Sequence, residues 1–333
     1  MAKLRLVYRC TECAGSHPKW SGRCITCGAW NSLVEDVEGP EEPLVSLAAG
    51  MSLVAPGEAK PITEVDGSIG QPQPTTIPEL DRVLGGGIVP GSVTLLGGEP
   101  GIGKSTLLMQ LLAAWPARTL YVTAEESAQQ VRLRAERLGA LNENVWLLPE
   151  MNLHNIFKAI ASVQPNLIVI DSIQTIADPE LSSPPGSVVQ VRGCAHRLVQ
   201  EAKRSNIPVV LVGHVTKEGG LAGPRVLEHV VDTVLSFEGE RHNALRLLRA
   251  SNHRFGPTSE LGLFEMTDAG MVGVPDASQL FLADRRTGVP GSVVVPTIEG
   301  QRPLLVELQA LTNSVSGGAP PRRSAQGVDS GRL

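Results

Sequence analysis

Residues 98–105 read Gly98-Glu99-Pro100-Gly101-Ile102-Gly103-Lys104-Ser105, the pattern G-x-x-x-x-G-K-[ST], directly after the apolar run 92–97. Few folds accommodate such a segment. Its small residues let consecutive backbone N–H groups wrap an anion at a helix N-terminus, so a strand must end and a helix begin within a few residues. Leu107, Leu108, Leu111 and Leu112 supply the apolar face of that helix. In this setting Lys104 reaches the terminal phosphates of a nucleotide, Ser105 offers its hydroxyl to Mg²⁺, and Thr106 continues the first helical turn. Gly98 to Thr106 are therefore candidate nucleotide-binding residues, with Lys104 also a candidate catalytic residue.

The surrounding text has the alternation that such a loop requires. Short β-rich runs at 119–123, 145–148, 167–170 and 207–212 alternate with helical patterns, which predicts an α/β fold with a mostly parallel sheet covered by helices on both faces. Ser127 is placed to cap a helix ending near Gly139. Val188, Val191, Ala195, Leu198 and Ala202 repeat at three and four residues and are expected to face the sheet. Cys194, beside that stripe, reads as a small buried thiol. From 233 the pattern is β-like, with runs at 233–238, 244–251 and 261–266 extending the sheet.

In open α/β sheets ligands bind beyond the carboxyl ends of the strands. Besides the phosphate loop, three strands end there on a suitable group: Asp171 after Leu-Ile-Val-Ile, Glu125 after Tyr-Val-Thr-Ala, and His214 after Val-Val-Leu-Val-Gly. Asp171 is expected in the Mg²⁺ shell together with Ser105. Glu125 is the candidate that orients water for attack on a γ-phosphate, with Glu126 as its competitor and helix capping as the alternative for either. His214, followed by Thr216 and Lys217, is placed to sense the γ-phosphate. Residues 251–258 read as a basic turn, in which Arg254 is a candidate finger completing a neighbouring subunit's site.

Four of the five cysteines form two CxxC pairs, Cys10/Cys13 and Cys24/Cys27, in the spacing of a closed tetrahedral site, and Zn²⁺ is the expected ion. Residues 1–35 are read as this module, 36–65 as a Pro- and Gly-containing linker, 66–275 as the nucleotide-binding domain and 276–333 as a further segment that does not close a core. The first 34 residues are basic and an acidic block follows them. With a net charge of −5 and only 3% aromatic residues, contact with a nucleic acid would have to be local and mainly to phosphates. No run approaches the roughly 18 to 20 apolar residues that span a bilayer, and no signal peptide is recognisable, so a cytoplasmic protein without a membrane partner is expected.

On these residues the chain resembles the RadA/Sms family of bacterial DNA repair ATPases. The resemblance rests on Tyr8-Arg-Cys10-x-x-Cys13 with Trp20-x-Gly22-x-Cys24-x-x-Cys27, on Glu79-Leu-Asp-Arg-Val-Leu-Gly-Gly-Gly, on Gly213-His-Val-Thr-Lys-Glu-Gly219, and on Gly291-Ser-Val-Val. It implies a RecA-like core that binds ATP with magnesium, a hexameric ring, and DNA-stimulated hydrolysis. It also implies action on single-stranded and branched DNA in recombinational repair, branch migration included, with recombinase or helicase partners. Residues 252–256 fall on the family pentapeptide KNRFG, with Asn252 for Lys and His253 for Asn, while Arg254, Phe255 and Gly256 are kept. Residues from about 285 resemble the opening of a Lon-protease-like α/β domain, expected here to be truncated. An ATP-driven oligomeric switch acting on protein partners is the competing class. DNA contacts are expected in residues 178–186 and 217–225, where Gly and Pro interrupt the apolar patterns and no demand of the core explains the residues.

Overall fold

A computed structural model describes residues 5–10, 16–38, 61–64, 67–214, 226–239, 244–282, 285–313 and 323–327. Two compact units divide the chain, Met1–Pro275 and Asp276–Leu333. The first begins with β1 (Arg5–Cys10), β2 (Ser16–His17) and β3 (Leu33–Glu38), an antiparallel sheet in the order β2-β1-β3. Then follow α1 (Pro78–Val83), β4 (Val93–Gly98), α2 (Lys104–Ala114), β5 (Thr119–Thr123), α3 (Ala128–Arg137) and β6 (Val145–Pro149). Next come α4 (Leu153–Val163), β7 (Leu167–Asp171), α5 (Val188–Ser205), β8 (Val209–His214), β9 (Thr233–Glu238), β10 (Leu245–His253), β11 (Leu261–Thr267) and β12 (Gly270–Gly273). The second unit holds α6 (Ala277–Leu282) and the antiparallel hairpin of β13 (Ser292–Glu299) and β14 (Arg302–Gln309). Among the described residues no helix is long and apolar enough to cross a membrane.

β4 to β12 form one nine-stranded sheet in the order β12-β11-β10-β9-β4-β8-β7-β5-β6. The six strands from β9 to β6 in that order run parallel, and β10, β11 and β12 continue antiparallel from β9. Alternating side chains build a core on each face. Leu96, Tyr121, Val169, Val210 and Val212 pack with Leu107, Leu108, Leu111 and Leu112 of α2 and Val131 of α3. Val93, Leu95, Leu120, Val122, Ile168, Ile170 and Leu211 pack on the other face with Ile156 and Ile160 of α4 and Val191, Ala195 and Leu198 of α5. Every residue of β4, β5 and β7 is buried, so the strands read as continuous apolar runs rather than alternating ones. Ser127 caps α3 with a reciprocal capping box to Gln130, as its position predicts. Cys194 is fully buried in the α5 face, and burial pushes its thiol up to about 12, which leaves it unreactive.

The Glu79-Leu-Asp segment has a packing role. Glu79 on α1 is buried and its Oε2 accepts the backbone N–H of Leu263 at 2.9 Å, tying α1 to β11, while Asp81 accepts the N–H of Thr75 at 2.7 Å.

Two expectations need correcting. The core does explain residues 178–186. Asp178 is buried and paired with Arg197 of α5 at 2.5 Å, and the Gln190 amide accepts the N–H of Asp178 and donates to the carbonyls of Asp178, Leu181 and Ser183. Leu181 also lies over Gly193, where an added Cβ would stand 2.5 Å from Leu181 Cδ1. The turn is therefore fastened to α5 through Asp178 and Leu181, so the core does act on this segment, while residues 179, 180, 182 and 184–186 are exposed. The other expected DNA segment, 217–225, lies outside the described residues. Residues 251–253 are likewise not a turn but the end of β10, which pairs His253 with Thr233 past an irregularity between Ala250 and Asn252. Gln190→Ala is expected to lower unfolding stability by about 2–3 kcal/mol, because buried backbone groups lose their partner. Chemical denaturation would measure the loss, and limited proteolysis would show earlier cleavage between 178 and 186.

Candidate nucleotide site and metal centre

The phosphate loop leaves β4 at Gly98 and enters α2 at Lys104. Gly103 takes the N-cap position in a left-handed conformation, φ 112°, with no side chain capping the helix, so its first-turn N–H groups face the loop unblocked by a cap. The left-handed conformation at Gly103 is what requires glycine, since an added Cβ would meet only the mobile methyl ends of Met266 and Met271 at 2.5 Å. Lys104 is buried and its ammonium donates to the carbonyls of Gly98 at 2.8 Å and Glu99 at 3.0 Å. Burial pulls the Lys104 pKa down, while the charges of Asp171 and Glu125 push it back up. The loop is braced from β10 by the buried Arg246, whose Nε donates to the Ile102 carbonyl at 3.0 Å.

The parallel registers bring the other predicted groups to the same end of the sheet. Thr123 pairs with Asp171 across β5 and β7, and Gly98 pairs with His214 across β4 and β8. Ser105 Oγ donates to Asp171 Oδ2 at 2.6 Å, so the two expected magnesium residues are in direct contact. A hydroxyl beside a carboxylate at the start of the phosphate-loop helix is a donor set that fits a hard cation carrying phosphate ligands. The Asp171–Ser172 peptide is cis. Glu125 Oε1 accepts a hydrogen bond from Ser172 Oγ at 2.5 Å and lies 3.3 Å from His214 Nε2. His214 Nδ1 is buried with no partner among the described residues. Glu126 is held away from this cluster by an ion pair with Arg134. Beside Thr106 a cleft of about 500 Å³ opens between Arg137, Leu138, Met266, Thr267 and Asp268.

Arg254 lies at the opposite end of the sheet. Its N–H donates to the Asp232 carbonyl at 3.1 Å and its Nη1 to Asp232 Oδ1 at 3.1 Å, while Asp232 Oδ2 accepts the N–H of Val93, the first residue of β4. The guanidinium is half exposed. His253 is buried with Nδ1 at 2.9 Å from Thr233 Oγ1, and burial lowers its pKa. His253 thus sits in the sheet, whereas Arg254 faces outward.

Beside the N-terminal sheet, at the end of β1 and in the turn between β2 and β3, the sulfur atoms of Cys10, Cys24 and Cys27 lie within 4.8 Å of one another, with 3.6 Å between Cys10 and Cys27. An ion with metal–sulfur bonds of 2.3 Å in a tetrahedron places thiolates roughly 3.8 Å apart, so the spacing fits. Cys13 lies outside the described residues. The backbone N–H of Cys27 pulls the Cys24 thiol down to about 5, helped by Thr26 and by His17, whose Nε2 is 3.3 Å away. A thiolate is the form that binds a metal.

Residues 8–35 match the family model of the rubredoxin metal binding domain, and residues 59–220 match that of the AAA domain. Aligned over this whole chain and 73% of their own lengths, the DNA repair protein RadA of Pseudomonas aeruginosa is 51% identical, that of Halalkalibacterium halodurans 48% and that of Bacillus subtilis 46%. This chain belongs to the RadA family. Its fold is also that of a KaiC-like protein from Pyrococcus horikoshii OT3, with a TM-score of 0.52 at 22% identity over 62% of this chain and 99% of that one.

Within this RadA-family framework, four side chains at the sites were not anticipated from sequence. They are Tyr121, Ser172 and Arg246 around the phosphate loop and His17 beside the cysteines. A tyrosine inside a fully buried strand and an arginine facing inward from a strand both needed a polar partner, and that was the available signal. Freshly purified reduced protein is expected to contain one metal ion per chain by elemental analysis. Cys24→Ser should drop this well below one while leaving nucleotide binding intact, because the cysteine cluster and the phosphate loop belong to separate sheets.

Proposed function

We propose that this chain hydrolyses ATP, in an oligomer and under stimulation by DNA, as a motor of recombinational DNA repair. The observation that carries the reading is the convergence of Lys104, the Ser105–Asp171 pair and the Glu125–His214 contact at the carboxyl ends of four parallel strands. The backbone of Gly98 to Gly103 cradles the phosphates, Lys104 supplies a desolvated cation to them, and Thr106 leads the nucleoside into the cleft beside Arg137 and Asp268. Ser105 and Asp171 would hold magnesium, which would supply positive charge to the phosphate oxygens. Glu125 takes a proton from the attacking water as its oxygen bonds the γ-phosphorus and the bond to ADP breaks. Ser172 fixes one oxygen of Glu125 and leaves the other for that water. The pairing of Glu126 with Arg134 favours Glu125 over Glu126 for the role. His214 touches Glu125 and precedes residues 215–225, so a γ-phosphate that attracts His214 acts on both.

Arg254 is out of reach of its own phosphate loop. β4 alone, at about 3.3 Å per residue, puts roughly 17 Å between the Asp232 end and the Gly98 end. A finger there serves a neighbour, which favours a ring or filament, and Asp232 holds it in place. The names of the relatives, DNA repair proteins, support DNA as the partner. The net charge of −5 restricts that contact to a local surface, with residues 178–186 and 217–225 the expected segments. Zinc, held by Cys10, Cys13, Cys24 and Cys27, is read as structural, since protein thiolates fill all four positions. Residues 1–35, 36–65, 66–275 and 276–333 then act as zinc module, linker, motor and the opening of a Lon-like assembly domain.

Single-stranded DNA is expected to stimulate ATP hydrolysis, and a protein that assembles with ATP yet shows no stimulation would shift the reading to a switch acting on protein partners. Lys104→Ala should abolish turnover, whereas Glu125→Gln should bind ATP and turn it over about a hundredfold more slowly. Near-normal turnover by Glu125→Gln would move the base elsewhere. Mixing Arg254→Ala with Lys104→Ala chains should restore part of the activity that each lacks, because some interfaces then join an intact loop to an intact finger. Assembled mixtures without recovery would remove Arg254 from the mechanism.

A further inference from the structure

We infer that Tyr121 is a positioning residue for the magnesium site, a role that rests on Asp171 being the metal-side carboxylate proposed above. Tyr121 lies in the middle of β5 with no solvent exposure, its ring packed in the core shared with α2 and α3. Its hydroxyl runs along the sheet past Val169, its register partner, to donate to Asp171 Oδ2 at 2.7 Å. Ser105 donates to the same oxygen at 2.6 Å. Two donors engage Oδ2, and Oδ1 is the oxygen that neither holds. The carboxylate is thereby fixed in one rotation about its Cβ–Cγ bond, and its free edge is defined before any ion arrives.

Packing does not account for the hydroxyl. A phenylalanine would fill the same space, and a phenol buried this deeply is costly unless bonded. The bond to a carboxylate offsets that cost. Arg134 stands close enough for its charge to act on both Tyr121 and Asp171, and its own ion pair is with Glu126. Tyr121 is thus the donor to Asp171 that does not belong to the phosphate loop, and it keeps the carboxylate oriented whatever Ser105 does.

The test separates metal from nucleotide. Binding of a fluorescent ATP analogue is measured as Mg²⁺ is titrated, in the unaltered protein, in Tyr121→Phe and in Asp171→Asn. Tyr121→Phe is expected to raise the Mg²⁺ midpoint about tenfold, the scale of a lost hydrogen bond to a charged group, with binding in excess chelator unchanged. An unmoved midpoint in Tyr121→Phe beside a shifted one in Asp171→Asn overturns the role of Tyr121 alone. Unmoved midpoints in both variants overturn the magnesium assignment beneath it. A second measurement keeps the hydroxyl at position 121. The chain has two tyrosines, Tyr8 and Tyr121, so 3-fluorotyrosine labelling gives two ¹⁹F signals, assigned with Tyr8→Phe. The Tyr121 signal should move when Mg²⁺ is added to the ATP-bound protein, and a Tyr121 signal indifferent to Mg²⁺ also overturns the inference.

Discussion

A sheet buried on both faces has no water to satisfy its backbone, so each strand must pair along its full length, and that pairing dictates where its end lies. Here β4, β5 and β7 are buried throughout, and β8 is buried up to His214. Sliding one strand by a residue would turn its side chains to the opposite core and leave polar groups unpaired. The registers that follow set Thr123 beside Asp171 and Gly98 beside His214. The groups at the nucleotide site are held by this hydrophobic and hydrogen-bonded frame, and their mutual distances are consequences of it.

The same frame explains how the two ends of β4 differ in chemistry. At its carboxyl end the chain exposes backbone N–H groups and concentrates charge around Lys104, much of it desolvated. At its amino end Asp232 ties β4, α5 and Arg254 together through Val93, Lys203 and the guanidinium. A single strand therefore carries a nucleotide loop at one end and an outward-facing cation at the other.

Element types were legible from the sequence because burial on two faces writes apolar runs and burial on one face writes helical stripes. The positions of β4 to β9 and the capped start of α3 follow from those patterns. The failures have physical causes too. Residues 178–186 look like a free loop because Pro and Gly interrupt the apolar pattern, yet their constraint comes from Gln190 and Arg197 on a helix that starts later in the chain. Residues 251–253 look like a basic turn, since their pairing with β9 depends on an irregularity that composition does not encode.

By itself the sequence determined the phosphate loop, the strands from β4 to β11, the carboxylates that follow β5 and end β7, and the paired cysteines. Each is a local pattern whose chemistry is complete within a few residues. Only the tertiary structure decided which groups touch. Tyr121 meets Asp171 across 50 residues and Arg246 meets Ile102 across 144, while Glu126 is withdrawn to Arg134 and leaves Glu125 with Ser172 and His214. The physical reason is that a hydrogen bond is specified to a few tenths of an ångström, and such distances come from register and packing of the whole sheet, which no short stretch of residues contains.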